Sequence, residues 1–217
     1  TGAGYEPRGE FRREPDGAAV AVPDPDLRRA LLVAARCGSA TVAPTGDGGT
    51  WHVVGDPTEG ALVVAALKGG VPAEDPAEPV IFEIPFDSER KRMSVVVRTT
   101  TNQRLMMTKG ATEAVLSRCT AELHGGRVVP LTDDRRRAVL AGATEMAGRA
   151  LRVLSLAVRD LRADEPLDSQ PAVAEHDLVH VGLAGMIDPP RDEARRAVER
   201  CRTAGIRPVM ITGDHPA

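Results

Sequence analysis

The sequence predicts a mixed α/β fold of the α+β type, with hairpin-joined strands in an antiparallel sheet, helices between them, and a final strand–helix–strand unit. Three observations carry this. Apolar runs flank short polar turns at Thr101-Asn102-Gln103 and at His124-Gly125-Gly126, the pattern of hairpins. Other segments repeat apolar residues at helical spacing behind written-out starts such as Asp56-Pro57-Thr58-Glu59 and Thr132. The C-terminal region reads as a strand over 178–187, an amphipathic helix over 191–203 and an apolar strand over 207–211, the grammar of a parallel sheet.

In chain order, residues 4–13 read as a strand with a charged end. Residues 14–26 read as a loop, broken by Pro15, Pro23 and Pro25. Leu27, Leu31, Ala34 and Ala35 share one side of a helix over 27–37. A turn over 44–49 precedes a short strand over 51–54. The next helix runs from Asp56 to about Lys68, with Asp56 as cap and Pro57 in the first helical position, where its missing N–H costs nothing. After a Pro- and acid-rich loop come a strand over 80–84 and a hairpin of 93–100 with 104–108. A short helix over 110–117 leads to a second hairpin of 121–123 with 127–129. Thr132 caps a helix to about Gly148, a strand spans 149–158, and 164–177 is loop. The double proline in Asp188-Pro189-Pro190-Arg191 restricts the backbone and marks a joint between two pieces.

Composition narrows the function. Of 217 residues, 42% are hydrophobic and 27% charged, enough to bury a core. Only five residues are aromatic (Tyr5, Phe11, Trp51, Phe82 and Phe86), so that core is built from Ala, Val and Leu. A formal charge of -3 argues against a nucleic-acid binder. The longest apolar block, Ala61 to Leu67, is far below the ~18 residues that span a bilayer, so a soluble chain without membrane contact of its own is expected. The start lacks both Met and a signal peptide, and the chain reads as an excised piece. Cys37, Cys119 and Cys201 are isolated and odd in number, which fits a reduced compartment. His176 and His180 have the spacing of a helical metal pair but lead into a strand, where that spacing loses its meaning. The basic residues are skewed: of 28, only Lys68, Lys91 and Lys109 are Lys.

Four motifs can carry chemistry, each with a plain structural alternative. In Gly55-Asp56-Pro57-Thr58-Glu59-Gly60-Ala61-Leu62, Glu59 either closes a capping box or faces a pocket and accepts a hydrogen bond from a base amino group. In Phe86-Asp87-Ser88-Glu89-Arg90-Lys91-Arg92-Met93-Ser94, Phe86 is either core beside a solvated loop or an aromatic face for a base, with cations for phosphates. Thr108-Lys109-Gly110-Ala111-Thr112-Glu113 is either a strand-to-helix turn or a lysine followed by a glycine that lets a ligand come close. Val209-Met210-Ile211-Thr212-Gly213-Asp214 ends an apolar strand in residues that can hold a phosphoryl oxygen and help organise magnesium, or is a capped turn. Arg152 is a lone Arg on an apolar strand, which the polar face of a sheet explains equally well. No GxxxxGK[ST] or strand-linked GxGxxG is present.

Together and in this order, with Leu151–Ala157 and Asp188–Arg191, these motifs resemble the P-type cation-transporting ATPases of the calcium-pump-like branch. The resemblance implies that residues 1–187 form a nucleotide-binding domain, an antiparallel sheet flanked by helices, inserted into a haloacid-dehalogenase-like phosphorylation domain. Residues 188–217 would be the hinge and part of that second domain. It implies that Phe86 stacks on adenine, Glu59 meets the adenine end, and Lys91 and Lys109 line the pocket. Gly110 would allow close approach and Arg152 would pair with phosphates. Asp188 and Arg191 would lie at the hinge, and Thr212, Gly213 and Asp214 in the phosphorylation site. Two departures stand out: Thr112 replaces the family's usual Pro, and the Asp-Lys-Thr-Gly-Thr sequence with the phosphorylated Asp is absent.

The resemblance also implies ATP as ligand and Mg2+ as cofactor. Its implied partners are the phosphorylation, actuator and transmembrane domains of a parent pump, and its implied place is the cytoplasmic face of a membrane. With the nucleophile missing, the chain alone is expected to bind ATP without hydrolysing it. The alternative is an interaction or regulatory module that keeps the fold without binding nucleotide. The apolar strand at 209–211 would leave an unpaired edge, and is expected to fray, pack irregularly or pair with another copy.

Overall fold

The computed structural model describes residues 1–2, 4–20, 23–45, 50–167, 174–187 and 192–209. It divides into two compact units, Thr1–Met186 and Ile187–Ala217. The first opens with a two-stranded ribbon, β1 (Phe11–Arg12) with β2 (Ala19–Val20). The strand expected over 4–13 is thus reduced to its last residues, and the Pro-rich loop supplies the partner.

Helix α1 spans Pro25–Arg36, and the Asp24 side chain accepts from the Leu27 amide at its start. A second ribbon pairs β3 (Thr41–Pro44) with β4 (Trp51–Val54). Helix α2, Pro57–Lys68, starts where its sequence signals place it, with the Asp56 carboxylate accepting from the amides of Thr58 and Glu59. At its other end the Lys68 ammonium donates to the Thr1 carbonyl, 3.0 Å.

Among the described residues the large sheet holds seven strands: β5 (Val80–Asp87), β6 (Arg92–Arg98), β7 (Arg104–Gly110), β8 (Cys119–His124), β9 (Arg127–Pro130), β10 (Arg152–Leu161) and β11 (Leu178–Met186), in the order β5-β6-β7-β10-β11-β8-β9. Both predicted hairpins, β6–β7 and β8–β9, are present. Every neighbouring pair is antiparallel except β11 with β8. Helix α3 (Thr112–Leu116) follows β7, and α4 (Asp133–Gly148) follows β9 with Thr132 as its cap.

Strand alternation sends side chains to two cores. Met93, Val95, Val97, Leu105, Met107, Leu156 and Val158 pack with Val33 and Cys37 of the α1 segment. On the opposite face Ile84, Val96, Met106, Ala157 and Leu178 pack with Val115 and Leu116 of α3, and with Val139 and Leu140 of α4. Helix α2 docks on α1 through Leu31, Ala35 and Ala66. The sheet is therefore covered on both faces. This explains why β6 and β7 read as near-continuous apolar runs and not as strict alternation.

One expectation is corrected. The strand at 178–187 does not open a separate parallel unit. As β11 it lies inside the large sheet, antiparallel to β10 and parallel to β8. Its partners lie far away in sequence, so local grammar does not identify them. The second unit contains helix α5, Asp192–Thr203, as expected. Residues 207–209 carry no strand, and Val209 is exposed. Among the described residues no helix is long and apolar enough to cross a membrane.

Candidate functional site

Strand register brings six of the expected site residues to one end of the large sheet. Asp87, next to Phe86, pairs with Arg92, next to Lys91. Arg92 pairs with Gly110, and Gly110 with Ser155, three residues from Arg152. From β5 to β10 is three inter-strand spacings, about 14 Å. The N-terminus of α2 carries Glu59 and Thr58 to the same end through their bonds to Lys109 and Arg152.

Glu59 does not close a capping box. Its Oε1 accepts from Lys109 Nζ at 2.8 Å, and its Oε2 from the amides of Ser39 and Ala40 at 2.9 and 3.1 Å. Burial alone would raise its pKa. The Lys109 hydrogen bond, the Ser39 amide, the Lys109 charge and the Ala40 amide outweigh burial and hold the carboxyl below its usual range. Glu59 is therefore a fixed carboxylate acceptor at a helix start.

Lys109 is 6% exposed, with its stem on the apolar face shared by Met93 and Leu156, its cross-strand partners. Gly38, just after α1, closes over the pair. A Cβ there would sit 2.8 Å from Lys109 Nζ and 2.9 Å from Glu59 Cδ, so only glycine fits without displacing the ion pair. Cys37 beside it donates its thiol to the Met107 carbonyl at 3.5 Å, and burial pushes that thiol up to about 12, so it stays protonated.

Phe86 is not core. It is 63% exposed at the end of β5, whereas Phe82 four residues earlier packs into the sheet. The turn after it is capped by Asp87, whose carboxylate accepts from the amides of Arg90 and Glu89 and is held below its usual range by those bonds. Lys91 is exposed at the turn's end with φ of 54°, a left-handed backbone uncommon for a residue with a Cβ. Its amide donates to Asp87 and its carbonyl accepts from Ala111. Gly110 lies against this turn, and a Cβ on it would strike the Lys91 carbonyl and Arg92. The close approach it allows in the structure is that of the neighbouring strand. Arg152 is exposed at the start of β10 and donates to the Thr58 hydroxyl, 2.7 Å.

A family model described as the P-type ATPase cytoplasmic domain N matches residues 26–193. The chain belongs to that family. It is 40% identical to a calcium-transporting ATPase of Bacillus subtilis, over 99% of this chain and 24% of that protein. It is 36% identical to the endoplasmic reticulum calcium ATPase srcA of Aspergillus fumigatus, over 99% of this chain and 25% of that protein. It is also 36% identical to the cation-transporting ATPase pma1 of Synechocystis, over 99% and 24% respectively. The chain thus spans about a quarter of the length of these curated relatives. The mostly antiparallel sheet with its helices fits the cytoplasmic domain N of these pumps.

Asp188, Arg191, Thr212, Gly213 and Asp214 lie outside the described residues. Sequence reading missed Gly38, the Ser39 and Ala40 amides and Glu175. The only local hint of Gly38 is a glycine just past a helix. Glu175 leaves a fainter signal: Arg92 and Ser94 alternate within a buried strand and call for a polar partner.

Proposed function

We propose that this domain binds ATP at the Phe86–Lys109 end of the large sheet and holds it for transfer of its terminal phosphoryl group to an Asp elsewhere in a cation pump. The observation that carries the reading is Phe86. A large aromatic ring stands exposed beside Lys91, in a chain with only three Phe and one Trp, at the sheet end that also holds the Glu59–Lys109 pair. Adenine on Phe86 would gain ~1–3 kcal/mol of stacking. Glu59, fixed and ionised, would accept from the base amino group. Lys91 and Arg152, both exposed, supply positive charge across about 14 Å of sheet edge, a span suited to an extended nucleoside triphosphate. Lys109 would act through Glu59 and by its charge, because its ammonium is already engaged.

Magnesium is implied by the family. Among the described residues no three His, Cys, Asp or Glu side chains come together to hold a metal. Binding by this domain is expected to depend little on that ion. The sequence holds no Asp-Lys-Thr-Gly-Thr, so the domain alone is expected not to turn ATP over. One stack and a few charge-assisted bonds must offset immobilisation of the ligand, giving a Kd near the millimolar range, about 4 kcal/mol.

Calorimetric titration of ATP into the wild type, Phe86→Ala and Lys109→Ala tests this. Binding weakened roughly tenfold or more in both variants is expected. Equal binding in all three would remove the site from this end of the sheet. No binding by the wild type would leave an interaction or regulatory module.

A further inference from the structure

On the other face of the same strands sits a carboxylate that the ATP reading does not use. Glu175, just before β11, is 0% exposed. Both of its oxygens accept from Arg90 Nη1 at 2.9 Å, Oε2 from Arg92 Nε at 2.6 Å, and Oε1 from the Ser94 hydroxyl at 2.7 Å. Ser94 in turn meets the Thr108 hydroxyl across the β6–β7 pair, 2.8 Å. Each oxygen thus accepts two hydrogen bonds, so the carboxylate is well satisfied although it is buried.

What Glu175 grips is the turn between Phe86 and Lys91. Arg90 reaches Glu175 with one guanidinium nitrogen and the Pro85 carbonyl, 2.6 Å, with the other. It therefore ties the residue before Phe86 to a point beneath the sheet. Arg92, the residue after Lys91, is held by the same carboxylate and also donates to the Arg90 carbonyl, 3.3 Å. The exposed ring and the left-handed lysine lie between these two anchors. Exposed residues do not hold such a conformation by themselves; the surroundings must fix it.

We propose that Glu175 is a positioning residue for nucleotide binding: through Arg90 and Arg92 it fixes the 86–91 turn, and thereby presents Phe86 and Lys91 in the geometry that ATP meets. The inference rests on the ATP reading and adds to it the residue that sets the turn. Loops that are well ordered before binding lose less freedom on binding, and the affinity reflects this.

The test uses the chain labelled with 4-fluorophenylalanine, which gives only three fluorine signals. Glu175→Gln, Arg90→Ala and a core control, Leu131→Ala, are compared for ATP affinity, melting temperature and the Phe86 signal without ligand. Glu175→Gln and Arg90→Ala are expected to weaken ATP binding roughly tenfold and to shift or broaden the Phe86 signal while that of Phe11 stays. Leu131→Ala is expected to lower the melting temperature without either change. Wild-type affinity and an unchanged Phe86 signal in both turn variants would overturn the proposal, leaving Glu175 a core ion-pair residue. If Glu175→Gln does not fold, Arg90→Ala decides alone, because it keeps the Arg92–Glu175 pair. Failure of the wild type to bind ATP would overturn the nucleotide reading, and this inference with it, and is seen in the first titration.

Discussion

Glu59 and Glu175 approach the β6–β7 pair at the same end of the sheet, from opposite faces. Glu59 comes from a helix start, keeps 16% of its side chain exposed, and takes two of its three hydrogen bonds from backbone amides. Glu175 comes from the segment before β11, exposes none of its surface, and among the described residues bonds only to side chains, two of them guanidiniums. The first is held yet reachable by a ligand. The second is held and unreachable, so it can act only through what it positions. On the proposed reading, exposure divides identical functional groups between recognition and support.

The largest way to break this contrast is to remove the buried charge. Glu175→Gln leaves Arg90 and Arg92 without their counter-ion, and a loss of about 3 kcal/mol is expected in urea denaturation. Loss of one partner from the half-reachable pair, by Lys109→Met, should cost less, about 1–2 kcal/mol, because Glu59 keeps its two amides. Equal losses would erase the distinction.

Acid titration sharpens it next. Burial pushes His180 of β11 down to about 4 from 6.5, against the pull of Glu122 and the Gly182 backbone, with Arg135 adding to the depression. The unfolded chain takes up a proton between these values that the folded one refuses. Stability should be full above pH 6.5 and fall as pH drops towards 4, by up to about 3 kcal/mol. Glu59 is depressed below 4.5, so its contribution is full above that value and is lost only at lower pH, as its own folded value is passed. Melting temperature against pH should therefore show two arms, and His180→Asn should flatten the upper one alone.

The smallest effect is the most discriminating. Lys91→Gly relieves a left-handed backbone at an exposed site, and should change stability by no more than about +0.5–1 kcal/mol. It should nevertheless weaken ATP binding. Stability and affinity moving in opposite directions would mark the turn as shaped for a ligand.

Much of the fold is legible where the signals are local. Asp56 with Pro57, and Thr132, fix the starts of α2 and α4, and the polar turns at 101–103 and 124–126 fix two hairpins. β3 is not legible, being four residues long and ending in Pro44. Nor is the place of β11, because its neighbours are chosen by long-range pairing. The site divides in the same way. Phe86, Lys91 and Lys109 lie in short motifs, whereas Glu175 and Gly38 gain their roles from partners that only the folded chain supplies. The three lysines separate accordingly: Lys68 ties down Thr1, and the other two stand at the sheet end.

The most direct measurement is an amide chemical-shift titration with ATP. The account predicts shifts at Ser39 and Ala40, whose amides bond Glu59, and at Lys91 and Gly110, with none at Arg159, Arg162 and His176 around the separate cleft they line. Shifts confined to that cleft, or absent altogether, would contradict it.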